Sequence, residues 1–221
     1  KHSVDKAALG VRRFVLGLSK KVLIANVMGE LCEIFRQSNE KSVLFYWMYA
    51  IAFSLQIYFD FSGYSDMAIG LGKLFGFDFM ENFNYPYVSK SITEFWRRWH
   101  ISLGSWFRDY VYIPLGGSRV KESRHIFNIL VVWMLTGFWH GAAWNFILWG
   151  VYYFLLLALE KFVLKRFLPP VPPLFAHAGA ILAILFGWLI FAFDNSSASL
   201  SLAALTSFLG ALFGTGGFLS R

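Results

Sequence analysis

An all-α, polytopic membrane protein with transmembrane, broken or re-entrant and interfacial helices is the fold class this sequence predicts, and three observations lead there. Hydrophobic residues fill 57% of the 221 positions and charged ones only 15%, outside the usual balance of a soluble domain. Several apolar runs approach the roughly 20 residues a helix needs to cross hydrocarbon. Lysine and arginine, which give a net charge of +7, flank those runs and do not form a polar domain of their own, so nucleic acid is set aside as a partner. The single cysteine, Cys32, excludes an internal disulfide or a CxxC motif and reads as a packing residue.

Taken in order, the chain opens on a basic stretch, Lys1 to Lys21, with Arg12, Arg13, Lys20 and Lys21, which reads as a cytoplasmic flank. It carries no basic-then-apolar leader and looks internal to a longer chain. Val43 to Phe59 is the first span, and at its end Gln56 and Asp60, four residues apart, share a helical face at the water boundary. Asp60 to Glu81 is acidic with an apolar, glycine-rich middle, which predicts a bent or re-entrant helix pair with Gly63 at the bend. Within it Ser62, Tyr64, Ser65 and Asp66 form a dense polar cluster. Binding of a polar substrate and a hydrogen-bond network holding a broken helix are both open readings.

Lys90 to Arg124 is again basic and reads as cytoplasmic. Ser91 and Glu94 form a capping box at the start of one interfacial helix, with Phe95, Trp99, Leu103, Trp106 and Tyr110 on one side and Arg97, Ile101, Ser105 and Arg108 on the other. His100 lies at the edge of that apolar face near Trp96 and Phe107, and Pro114 with Gly116 and Gly117 ends the element. Ile126 to Leu159 would be about 51 Å as one straight helix, too long for a span of about 30 Å, so a break is expected around Gly137 to Gly141. LPPVPPL, from Leu168 to Leu174, reads as an extended connector to the span Leu174 to Phe193, and Leu200 to Phe213 is a weaker apolar run.

His140 is the ionisable side chain of MLTGFWHGAAWNF, residues 134–146. An imidazole in hydrocarbon is expensive, and near neutral pH it is well suited to taking a proton from a hydroxyl, so functional and structural roles both stand. Gly137 and Gly141 have the spacing that lets another helix approach, and Thr136 and Trp144 share the face of His140 if the helix is continuous. No metal site is read: the five histidines, His2, His100, His125, His140 and His177, form no i, i+4 pair. A transporter or channel subunit with His140 and the Asp60 to Asp66 cluster in a proton or substrate path is the competing function, although no repeated halves are visible.

The run from FDFSGYSDMAIG through SITEFWRRWHISLGSWFRDYVYIPLGG, followed by LTGFWHGAAWNFILWG, resembles the membrane-bound O-acyltransferase family, in its bacterial alginate O-acetyltransferase-like branch. The likeness extends from about Asp5 to Lys161 and implies a single membrane-embedded domain over residues 1–221, incomplete at both ends. It implies an enzyme moving an acyl group, acetyl by the branch, from a cytoplasmic thioester, acyl-coenzyme A or an acyl carrier protein, to a hydroxyl of a cell-envelope polysaccharide or to an extracytoplasmic partner transferase. No cofactor is expected to be bound, and the expected location is the inner (cytoplasmic) membrane, crossed several times and surrounded by lipid. By resemblance His140 of WHG and His100 of RRWHIS are the catalytic pair, and Trp139, Trp144 and Asn145 shape the pocket. Arg97, Arg98 and Arg108 form the docking surface for the acidic donor, and Ser65 and Asp66 are the candidate contacts to a polar substrate.

Overall fold

The computed structural model describes residues 3–39, 42–167, 169, 171–193 and 202–214, and among them it contains helices and no strand. Lys1 and His2 of the basic start, Leu168 and Pro170 of the proline-rich connector, and Leu200 of the weak run lie outside the described residues. Among the described residues three helices are long and apolar enough to cross a membrane: Val43–Leu74, Trp144–Phe167 and Pro173–Ala192. The described residues group into two compact units, within residues 1–82 with 206–221, and within residues 83–205.

In the first unit, α1 (Val4–Ser19) begins where the Ser3 hydroxyl accepts the Lys6 amide at 3.1 Å, and a π turn over Lys20–Ala25 carries it into α2 (Asn26–Gln37). The next helix, α3 (Val43–Leu74), is capped by Ser42 and runs unbroken for 32 residues. The bent or re-entrant pair expected over Asp60 to Glu81 is therefore corrected, and the first span does not end at Phe59. Two features of α1 explain why the polar cluster needs no bend. First, glycines face each other across the contact: a Cβ on Gly63 would sit 2.7 Å from the Gly17 carbonyl oxygen, and one on Gly70 would sit 2.6 Å from that of Gly10. Second, α1 and the π turn that follows it bring the cations. Arg13 and Lys20 each reach the buried Asp66 at 2.6 Å, Lys6 reaches Asp78 at 2.7 Å, Arg13 also holds Glu81, and Lys21 pairs with Asp60. The basic start of the chain thus neutralises the acidic segment. Near the other end of α3, Phe35, Tyr46 and Tyr49 pack with Phe208 of α10 (Leu202–Ala211), and the Trp47 indole donates to the Leu212 carbonyl at 2.9 Å.

The second unit contains α4 (Ile92–Arg98), α5 (Ile101–Phe107) with a π turn over Arg108–Tyr112, α6 (Glu122–His140) and α7 (Trp144–Ala158). From α7 a π turn over Leu159–Leu164 leads into the short α8 (Lys165–Phe167), and α9 (Pro173–Ala192) follows. The single interfacial helix expected from Ser91 is corrected to two helices, because the backbone enters the left-handed region at His100, with φ 47°. Its apolar face divides with it: Phe95 and Trp99 are buried against Trp188 of α9, while Trp106 and Tyr110 are exposed. Half of the capping box forms as expected, with Ser91 Oγ accepting the Glu94 amide at 3.0 Å, but Glu94 receives the amide of Lys90 and not that of Ser91.

The break expected near Gly137 to Gly141 is present, with α6 ending at His140 and α7 starting at Trp144. The two glycines divide the work. Gly137 meets Gly150 where α6 and α7 pack, so that a Cβ there would lie 2.5 Å from the Phe146 carbonyl oxygen, while Gly141 belongs to the turn.

Candidate functional site

A cavity of about 530 Å³ opens within the second unit among α4, α5, α6 and α7. Helix α6 delivers His140 to it from its last turn, since the helix stops there and the chain turns at Gly141. The imidazole is held by rings on several sides: Trp139 at 4.8 Å, Trp149 at 5.0 Å and 82°, and Phe191 at 5.1 Å and 89°. Edge-to-face packing of this kind fixes the ring plane without saturating its nitrogens.

His100 reaches the same cavity from the turn between α4 and α5. Its carbonyl accepts the Gly104 amide at 3.0 Å, which starts α5, and its Nδ1 lies 3.4 Å from the Ser102 hydroxyl. The ring stands 5.8 Å from that of Trp139, so one tryptophan touches both histidines. His100 lies outside the three helices long enough to span, and burial pushes its pKa down to about 4, which leaves a neutral imidazole at pH 7.

The cavity wall also carries two cations, Arg97 and Arg108. Arg97 is exposed, whereas Arg108 pairs with its neighbour Asp109 at 2.7 Å. Arg98 is differently engaged: it binds Glu94 at 2.9 Å and donates to the Asn84 carbonyl at 3.1 Å. Of the three tryptophan-loop residues expected around His140, Trp139 is 55% exposed and Trp144 68% exposed, while Asn145 is buried with its amide donating to the Phe191 carbonyl at 3.0 Å. Asn145 therefore ties the start of α7 to α9. Ser65 and Asp66 belong to the first unit, where the Ser65 hydroxyl accepts from Asn82 at 3.1 Å and Asp66 lies between Arg13 and Lys20. Their arrangement is that of a hydrogen-bond and ion-pair network.

Reading the sequence missed Glu160. This buried carboxylate accepts the amides of Ile92 at 2.8 Å and Thr93 at 3.2 Å, the first two of α4, and so anchors the helix whose other end leads to His100. Its signal was present, a carboxylate inside the run that became the Trp144–Phe167 span. Also missed was the link from Tyr112 on the cavity wall, whose hydroxyl lies 2.8 Å from His125 Nε2, with Lys161 Nζ 3.0 Å from the same nitrogen. No spacing rule joins these three residues.

Comparison with known proteins gives the same direction. Residues 2–203 match the model of the membrane-bound O-acyltransferase family. The chain is 46% identical over 194 residues to a probable alginate O-acetylase of Azotobacter vinelandii, covering 88% of this chain and 39% of that protein. It is 40% identical over 197 residues to a peptidoglycan O-acetyltransferase of Helicobacter pylori, covering 87% and 37%. It is 38% identical over 125 residues to a teichoic acid D-alanyltransferase of Bacillus subtilis, covering 53% and 32%. The chain thus spans about two-fifths of the length of the first two relatives. A multi-pass helical architecture, with the two histidine motifs opening on one cavity, accompanies a family match over nearly the whole sequence, and the chain belongs to the membrane-bound O-acyltransferase family.

Proposed function

We propose that the cavity is the acyl-transfer site of a membrane O-acyltransferase, and the observation that carries this reading is that His140 and His100 both line it. A thioester donor, acyl-coenzyme A or an acyl carrier protein, presents its acyl carbon inside the cavity. Arg97 and Arg108 on the wall attract the phosphate-bearing part of the donor. His140 accepts the proton of the acceptor hydroxyl as its oxygen attacks the thioester carbonyl. Collapse of the tetrahedral intermediate breaks the C–S bond, and the proton passes to the departing thiolate, so an ester and a free thiol are the products. The aromatic wall of Trp96, Trp99 and Trp133 limits water, which protects the thioester from hydrolysis.

The acyl group is acetyl and the acceptor a cell-envelope polysaccharide, in keeping with the names of the relatives, and a partner transferase is the second acceptor to which the group is handed. The cytoplasmic membrane is the location, with the basic Lys90 to Arg124 segment on the cytoplasmic side. The test is transfer from a labelled acetyl thioester to envelope polymer in cells carrying the full-length protein. His140→Gln is expected to lower the product at least 100-fold at unchanged protein level, on the order of general-base contributions. Wild-type product from a normally inserted His140→Gln protein would sink the reading.

A further inference from the structure

We infer that Arg98 is a positioning residue that holds His100 in the cavity, an inference that rests on reading the cavity as an acyl-transfer site. Helix α4 ends at Arg98, Trp99 is extended, and His100 is left-handed, at φ 47° and ψ 53°. A side chain other than glycine in that region costs about 1 kcal/mol or more and persists only where its surroundings hold it. The surroundings here are a two-way clasp between Arg98 and the main chain of Asn84. The Asn84 amide donates to the Arg98 carbonyl at 2.9 Å, and the Arg98 guanidinium donates back to the Asn84 carbonyl at 3.1 Å. The same guanidinium is steadied by Glu94, which accepts from Arg98 Nε at 3.0 Å and from the Lys90 amide at 2.9 Å.

The clasp joins the chain's two left-handed side chains other than glycine among the described residues. Tyr85, φ 45°, directly follows Asn84, and His100 lies two residues beyond Arg98. Unlike Arg97 and Arg108, Arg98 does not line the cavity. Its donors face its own protein, so it supports the histidine and leaves the donor's charge to the other two arginines.

The experiment uses the full-length protein in membranes, with acetyl-coenzyme A as the probe donor, and compares Arg98→Lys, Arg98→Ala, Glu94→Gln, Asn84→Ala and Arg97→Ala. Lysine keeps the charge but cannot reproduce the planar fork that serves Glu94 and Asn84 together. Arg98→Lys is therefore expected to lower kcat about 10-fold or more with the donor KM within about 2-fold, since small displacements of a catalytic group carry costs of this order. Glu94→Gln follows it more weakly, and Asn84→Ala is silent because only main-chain atoms of that residue take part. Arg97→Ala instead raises the donor KM in a salt-dependent way. A second readout needs no turnover: diethyl pyrocarbonate should modify His100 several-fold faster in Arg98→Lys than in wild type or Arg97→Ala, as read by mass spectrometry. Wild-type kcat and wild-type His100 modification in Arg98→Lys overturn the clasp. So does a raised donor KM in Arg98→Ala that lysine restores. Full activity of His140→Gln overturns the acyl-transfer reading alone and leaves the modification result to judge Arg98.

Discussion

At the scale of single residues, His100 combines a backbone constraint with a buried ring, and the two separate by substitution. Both His100→Ala and His100→Gly lose the imidazole, but only glycine enters φ 47° without a steric penalty. The glycine variant is expected to be more stable than the alanine variant by about 1 kcal/mol in thermal or denaturant unfolding, with acyl transfer low in both. Burial pushes the His100 pKa down to about 4 from an ordinary value of 6.5. Between those values the unfolded chain binds the proton more readily than the folded one, so stability is full above pH 6.5 and falls as the pH drops towards 4. Melting temperatures measured across this window should slope less in His100→Gly than in wild type. His140 was visible in the sequence because an imidazole in hydrocarbon is costly, whereas His100 was marked by the resemblance of RRWHIS to the family. The left-handed turn was not, since it depends on a hydrogen bond from Asn84 to Arg98, fourteen residues apart, that no local pattern records.

At the scale of elements, length arguments carried further than periodicity. The excess length of Ile126 to Leu159 foretold the break after His140 because a straight helix of that size does not fit a bilayer. Periodicity over residues 91–110 foretold one amphipathic helix and failed, because two helices that continue the same angular pattern look alike in a sequence. The α6–α7 hairpin depends on Gly137, where any Cβ meets the main chain of Phe146 at 2.5 Å. Gly137→Leu should destabilise the protein by about 1–3 kcal/mol and displace His140, with loss of activity alongside a lower melting temperature. Glu160 acts on α4 from the opposite end to Arg98. Removing its carboxylate in Glu160→Ala leaves the first amides of α4 without their acceptor and should lower both stability and turnover, whereas Glu160→Gln, which still presents an oxygen, should retain most of both.

For the whole molecule, composition sufficed for the class, because a chain this apolar and this aromatic cannot be covered by its own charged residues. It did not suffice for the purpose of the charges. The basic start was read as a flank obeying the positive-inside rule, yet Lys6, Arg13, Lys20 and Lys21 are engaged with carboxylates of α3 and the segment after it. This has a consequence for how the protein is made. When α3 leaves the insertion machinery it carries Asp66, which lipid penalises heavily unless partners accompany it. Its partners, Arg13 and Lys20, are on a helix synthesised earlier, so they are already waiting when the carboxylate arrives. Synthesis order thus turns an ion pair into an assembly checkpoint: a chain with both Arg13 and Lys20 changed to Ala should be translated normally, fail to retain α3 in the membrane and be degraded, and Asp66→Asn should restore its retention.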